Sequence, residues 1–130
     1  MKNCLHCGLE LSTRQNKYCS NKCQADYQYN KYIDRWHKGL EKGVIGKFQL
    51  SSHIERFIWT KYDSKCAVCD WSEKNPITNK SPLEIEHVDG NFENNREENL
   101  LLLCPNCHSL TPTYKALNKG KGRKERKGLK

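Results

Sequence analysis

Four polar residues in the last third of the chain have the types and order that metal-assisted phosphodiester chemistry requires: Glu86, His87, Asn99 and His108. One carboxylate and one imidazole can hold a divalent cation and leave coordination positions open for a phosphate oxygen and water. A second histidine can deprotonate that water, because its reference pKa of about 6.5 leaves the ring largely neutral at pH 7. The set therefore indicates a candidate hydrolytic site.

Paired cysteines surround these residues and predict a structural zinc site. Cys66-x2-Cys69 and Cys104-x2-Cys107 are separated by 34 residues. Thiolates are preferred ligands of tetrahedral zinc, and a structural site is closed because the protein fills all four positions. We expect this zinc to position His108, which directly follows a ligand, without taking part in catalysis.

A second set of cysteines near the start of the chain, Cys4-x2-Cys7 and Cys19-x3-Cys23, predicts another zinc site. The alternative is a disulfide framework, which is typical of secreted chains. The start of the chain has no apolar signal-peptide core, and the aliphatic run at 100–103 is too short to cross a membrane. We therefore expect a cytoplasmic protein with two structural Zn²⁺ ions and no membrane association.

The residues after this first cysteine set predict a helix. Ser20 suits an N-cap, and Gly39 suits the residue that ends the helix. Tyr29, Ile33 and Trp36 are spaced at i, i+4 and i+7, which predicts one apolar stripe.

A glycine-punctuated segment, residues 40–50, follows this helix and predicts a linker. Ser52-x-x-Glu55 then fits a capping box and predicts a second helix. We expect the apolar face of that helix to contain Ile54, Phe57, Ile58 and Tyr62.

The four polar site residues lie on a predicted strand, loop, strand and helix. Residues 83–88 alternate apolar and polar types, which indicates a strand with one buried face. Asp89 and Gly90 begin a polar loop, and residues 100–103 form a second short buried strand. Pro105 suits the first turn of a helix.

We expect this last helix to extend through Tyr114 and Leu117, with a break or kink at Pro112.

The chain resembles HNH endonucleases over about residues 64–117. The resemblance rests on three motifs that occur in order: Leu83-Glu84-Ile85-Glu86-His87-Val88-Asp89-Gly90-Asn91, Glu98-Asn99-Leu100 and Leu103-Cys104-Pro105-Asn106-Cys107-His108. The zinc-flanked ββα-metal branch of this family is common in phages and mobile elements, and this chain resembles that branch with an extra N-terminal zinc finger.

The resemblance implies a role for each site residue. His87 would be the general base, Glu86 and His108 would bind a catalytic Mg²⁺ or Mn²⁺ ion, and Asn99 would hold the loop that carries the base. The family's usual residue before the base is Asp, whereas this chain has Glu86, whose extra methylene still permits metal ligation. Three further asparagines are alternatives for the supporting role: Asn91, Asn94 and Asn95.

The positive charge of the chain is concentrated at its end. The net charge is +8, and residues 119–130 contribute seven basic residues and one acidic residue. Such a segment predicts sequence-independent binding to phosphates, with a solubilising role as the alternative. Its candidate nucleic-acid-binding residues are Lys119, Lys121, Arg123, Lys124, Arg126 and Lys127.

We therefore predict a small zinc-stabilised α+β protein in which an N-terminal four-cysteine zinc finger and helices precede a ββα-metal (HNH) nuclease core. The predicted domains are a finger and helix (1–39), a linker (40–50), a nuclease domain (51–118) and a basic tail (119–130).

The resemblance implies metal-dependent hydrolysis of DNA, with 5′-phosphate and 3′-hydroxyl products, by a phage or mobile-element protein that acts in the host cytoplasm. Two alternatives stay open: RNA as the substrate, and a non-catalytic zinc-dependent nucleic-acid-binding protein.

Overall fold

The computed structural model describes residues 2–112, which contain three α-helices, a short 3₁₀ helix and two antiparallel strand pairs. The chain divides into two compact units, Met1–Glu41 and Lys42–Lys130. This combination of elements is the predicted small α+β class. The predicted basic tail, residues 119–130, lies outside the described residues.

The first unit contains helix α1 (Asn21–His37), whose two ends form as predicted. The Ser20 hydroxyl accepts a hydrogen bond from the backbone N–H of Cys23 and so caps the helix. At the other end Gly39 adopts φ +79°, and the N–H groups of Gly39 and Leu40 donate to the carbonyls of Trp36 and Arg35. This is a Schellman motif, which favours glycine because its backbone is left-handed.

The second unit begins with a hairpin inside the segment that was predicted to be a linker. Strands β1 (Val44–Ile45) and β2 (Gln49–Leu50) are antiparallel, with Val44 opposite Leu50. Gly43 and Gly46 have φ values of +81° and +64°, a left-handed backbone that favours glycine. The two glycines therefore serve the turns of this hairpin and not a flexible linker. Residues 42–50 are therefore an ordered part of the second unit, whereas the predicted domain limits stay predictions.

Helix α2 (Ser52–Lys61) begins one residue earlier than the predicted capping box requires. Ser51 is the N-cap: its hydroxyl accepts from the N–H of His53, and its own N–H donates to the Gly43 carbonyl. The bond to the hairpin fixes Ser51 outside the helix, so Ser52 is the first helical residue and the expected box does not form. Ile54 and Ile58 are fully buried, as predicted for the apolar face.

Strands β3 (Glu84–His87) and β4 (Leu100–Leu103) form the second strand pair, with Glu86 opposite Leu101 and His87 opposite Leu100. Three of the four leucines of β4 are buried, and β4 packs against α2. The predicted alternation of β3 differs from the structure, because Glu86 is buried and Ile85 is only half-buried. The reason is a contact of Glu86 with the last helix.

That helix, α3 (Pro105–Ser109), follows β4 directly and is shorter than predicted. The Cys104 sulfur accepts from the Cys107 N–H at its N-terminus, and Pro105 lies in the first turn as expected. The helix ends at Ser109, before Pro112, and Tyr114 and Leu117 lie outside the described residues.

Candidate functional site

The first unit brings its four cysteines together as a zinc site would require. The sulfurs of Cys4, Cys7, Cys19 and Cys23 lie within 4.8 Å of one another, and all four are free thiols. The Cys7–Cys19 and Cys19–Cys23 sulfur distances are 3.6 Å and 3.5 Å. Zinc–sulfur bonds of about 2.3 Å in a tetrahedron separate the sulfurs by about 3.8 Å. A backbone hydrogen bond from Cys7 lowers the pKa of Cys4 to about 6, whereas a side-chain hydrogen bond from Cys23 raises the pKa of Cys19 to about 12.

The second unit contains an equivalent cluster formed by Cys66, Cys69, Cys104 and Cys107, again with all ligand atoms within 4.8 Å. The sulfurs of Cys69 and Cys104 are 3.7 Å apart. Burial raises the pKa of Cys66, but backbone hydrogen bonds from Cys104, Cys69 and Val68 outweigh burial and lower that pKa to about 6. Both clusters could therefore hold structural zinc ions, as the cysteine spacing predicted.

The second cluster joins the segment after α2 to the start of α3. The Ala67 N–H donates to the Leu102 carbonyl, which attaches the first cysteine pair to β4. The His108 N–H donates to the Cys104 carbonyl, so this histidine lies one helical turn after a cysteine of the cluster. The backbone position of His108 is consequently set by the four-cysteine site.

Glu86 and His108 form the closest pair among the predicted site residues. The Nδ1 atom of His108 lies 2.7 Å from Oε2 of Glu86, and its Nε2 atom lies 3.7 Å from Oε2 of Glu84. The Glu86 side chain is 10% exposed and that of His108 is 25% exposed. Two ligand atoms that bind one ion with bonds of about 2.1 Å at right angles lie about 3 Å apart. The pair therefore fits two protein ligands of a divalent cation.

His87, the predicted base, contacts a residue that the sequence offered only as an alternative. Its Nε2 atom lies 2.6 Å from Oδ1 of Asn95. Asn95 is buried, and its Nδ2 donates to the carbonyl of Lys42 over 3.2 Å. No local sequence pattern marks Asn95, because its second partner is 53 residues away.

Asn99 binds the loop between β3 and β4 and not the ring of His87. Its Oδ1 accepts from the Asp89 N–H over 3.1 Å, and its Nδ2 donates to the Asp89 carboxylate and to the Asn94 carbonyl. Asp89 also accepts from the Asn94 amide and the Asn91 N–H. Burial raises the pKa of Asp89, but these hydrogen bonds outweigh burial and lower it. The sequence predicts only that Asp89 begins a polar loop; that its carboxylate holds the loop together is visible only in the structure.

The predicted nucleic-acid-binding residues of the basic tail cannot be located within the described residues, 2–112. All six candidate nucleic-acid-binding residues lie outside the described part of the chain: Lys119, Lys121, Arg123, Lys124, Arg126 and Lys127. None of the helices within residues 2–112 is long and apolar enough to span a membrane.

One known protein is closely similar to part of this chain. Over 60 residues the chain is 53% identical to the H-N-H endonuclease F-TflIV of Escherichia phage T5. The match covers 44% of this chain but only 24% of that protein, so the chain corresponds to about a quarter of its relative. No family model and no solved structure matches the chain. The similarity and the two four-cysteine clusters confirm the predicted resemblance of this chain to zinc-flanked HNH endonucleases.

Proposed function

We propose that this chain is a metal-dependent endonuclease that hydrolyses DNA phosphodiester bonds and leaves 5′-phosphate and 3′-hydroxyl ends. The observation that carries this proposal is the 2.7 Å distance between Nδ1 of His108 and Oε2 of Glu86. His87 is the next residue after Glu86 on strand β3. The similarity to a phage endonuclease supports a nuclease function.

Glu86 and His108 would hold the catalytic divalent cation, Mg²⁺ or Mn²⁺. When bound, such a cation stabilises negative charge on the phosphate and on the leaving oxygen. The longer side chain of Glu86, compared with the Asp usual in the family, reaches Nδ1 of His108 from strand β3. Because β3 and α3 are both anchored to β4, the two ligands are held in place by rigid elements.

His87 would accept the proton of the attacking water. A neutral imidazole is suited to this step because the reference pKa of histidine lies near neutral pH. The ring stands at the last residue of β3, where the Gly90 N–H donates to the His87 carbonyl and closes a turn. Asn99 would hold this turn in place, since its side chain binds Asp89 within it.

The remaining parts of the chain would bind the nucleic acid. The tail residues 119–130 carry a charge of +6, which favours binding to phosphates through counterion release. The N-terminal zinc finger would add a second contact. DNA is the partner we propose, and for a phage-encoded chain the site of action would be the host cytoplasm.

The test is cleavage of a supercoiled plasmid with Mg²⁺ or Mn²⁺, with and without EDTA. The wild-type chain should produce nicked or linear DNA only when the divalent ion is present. DNA ligase should reseal the nicks, because it requires a 5′-phosphate beside a 3′-hydroxyl. Resistance of the nicks to ligase would contradict the proposed products.

His87→Ala should cleave more slowly by about 10²–10⁴-fold, the loss typical of a positioned base, with zinc content and DNA affinity unchanged. His37→Ala is the matched control, because this exposed histidine stands at the C-terminal end of α1, in the other unit and outside its cysteine cluster. DNA binding without cleavage in either metal would favour the non-catalytic alternative. Cleavage of RNA but not of DNA would replace the proposed substrate.

A further inference from the structure

The orientation of the Asn95 side chain is determined by its contact with the backbone of residue 42. A carbonyl oxygen can only accept hydrogen bonds, so the Lys42 carbonyl must face the NH₂ group of Asn95, at 3.2 Å. The other end of the amide, Oδ1, then faces His87 at 2.6 Å. Asn95 is only 4% exposed, which isolates this arrangement from competing water.

This orientation determines which nitrogen of His87 carries the proton. Oδ1 of Asn95 is an acceptor, so Nε2 of His87 must be the N–H donor. A neutral imidazole has one N–H group and one nitrogen with a free electron pair. The electron pair of neutral His87 consequently lies on Nδ1.

We propose that Asn95, oriented by the Lys42 carbonyl, is a positioning residue that holds His87 in the Nε2–H tautomer and so makes Nδ1 the basic nitrogen. This inference rests on the proposed function, because it assigns the atom of His87 that takes the proton from water. Asn95 acts through His87 and is not itself placed at the reacting atoms. The supporting role that the sequence assigned to Asn99 is thus divided: Asn99 holds the loop, and Asn95 holds the ring.

The hairpin of the second unit supplies the carbonyl that this arrangement needs. A Cβ atom on Gly43 would lie 2.6 Å from Cδ1 of Ile54 and 2.9 Å from Cβ of Asn95. Only glycine therefore lets the backbone at 42–43 approach the loop closely. The rings of Phe48 and Phe92, 5.3 Å apart, pack the hairpin on the same loop. Residues 42–50 thus hold the Lys42 carbonyl in the position that orients Asn95 and, through it, the ring of His87.

The experiment uses ¹⁵N-histidine-labelled full-length protein with both zinc sites filled, at a pH where His87 is neutral. Ring ¹⁵N chemical shifts distinguish an N–H nitrogen from one with a free electron pair. The signals of His87 are identified among the five histidines by their loss in His87→Gln. The wild-type protein should show N–H character at Nε2 and a free electron pair at Nδ1. N–H character at Nδ1 would overturn the inference whatever the nuclease activity.

Asn95→Ala should give a mixture of the two tautomers of His87. Its kcat should fall about 10- to 100-fold with KM unchanged, the range typical for loss of a residue that orients a functional histidine. Asn94→Ala is the matched control, since Asn94 lies in the same loop but binds Asp89, and it should keep the Nε2–H tautomer. A wild-type tautomer or a wild-type kcat in Asn95→Ala would contradict the proposal.

Two further variants separate orientation from general loosening of the loop. Asn95→Asp retains an acceptor for His87 and should restore the Nε2–H tautomer that Asn95→Ala loses. Gly43→Ala displaces the Lys42 carbonyl and should mix the tautomers with Asn95 still present. If these variants fail to fold, the wild-type spectrum still decides the tautomer. Because that spectrum does not depend on cleavage, failure of the inference is distinguishable from failure of the proposed nuclease function.

Discussion

The Nδ1 atom of His108 lies 2.7 Å from Oε2 of Glu86, although the two residues belong to different elements, α3 and β3. The contact explains why an acidic residue is the most buried member of its strand. Because both proposed cation ligands take part in this contact, substitution of one of them tests the proposed cation site directly.

Glu86→Gln should weaken or abolish metal-dependent cleavage and leave the fold intact. The amide keeps the size of the side chain but replaces a charged ligand with a neutral one, which weakens the binding of a hard cation. We expect a higher Mn²⁺ concentration for half-maximal cleavage, or no cleavage at all, with circular dichroism unchanged. Glu98→Gln, an exposed carboxylate of the same unit, is the control. Equal cleavage by the two variants would rule out Glu86 as a ligand.

The two cysteine clusters predict about two zinc ions per chain that resist a mild chelator. Elemental analysis of the dialysed protein measures this content. Cys66→Ser should lose one zinc and unfold the second unit, because metal binding supplies folding free energy in such small units. Cys4→Ser should also lose one zinc, but its effect should be confined to the first unit. A zinc content near zero with oxidised thiols would restore the disulfide alternative.

The buried apolar face of α2 predicts a large loss of stability on truncation. Ile54 is fully buried, so Ile54→Ala should lower the free energy of unfolding by about 2–5 kcal/mol, through lost burial and the cavity left behind. Ile77 is 90% exposed, and Ile77→Ala should change stability by at most about 0.5 kcal/mol. Urea unfolding of the zinc-loaded variants measures both. Similar midpoints for the two variants would contradict the assigned core.

Removal of residues 119–130 should weaken binding to all DNA sequences alike. It should also flatten the plot of log affinity against log salt, because each phosphate contact contributes about −0.9 to that slope on duplex DNA. Cleavage at low salt and saturating enzyme should persist, since the four proposed catalytic residues (Glu86, His87, Asn99 and His108) all precede the truncation. An unchanged slope would reduce the tail to a solubilising segment. Loss of cleavage at saturation would mean that the tail helps to build the active site.

Local pattern was sufficient for several features of this protein. The spacing of the cysteines predicted both clusters, because two closely spaced thiols form one half of a tetrahedral site wherever the chain folds back. Ser20 and Gly39 ended helix α1 as expected, since capping depends on bonds within a few residues. The family resemblance, and not local pattern, implied that Glu86 and His108 share a site; their side chains lie in contact, and their catalytic roles remain proposals.

Other features were decided only by contacts between distant segments. The glycines of residues 40–50 are equally compatible with a flexible linker and with a tight hairpin, and burial of Gly43 against Ile54 and Asn95 selects the hairpin. The same hairpin makes Ser51 and not Ser52 the cap of α2, through the Gly43 carbonyl.

The choice among the asparagines depended on tertiary structure in the same way. The polar loop offers several amides of equal local character, and composition does not distinguish them. Asn95 contacts His87 because the Lys42 carbonyl, 53 residues earlier in the chain, approaches it from the hairpin. The sequence by itself therefore determined which residue types could do the chemistry and where the metals could bind. Only the tertiary structure decided which side chain orients the base, because hydrogen-bond partners far apart in the chain leave no local periodicity.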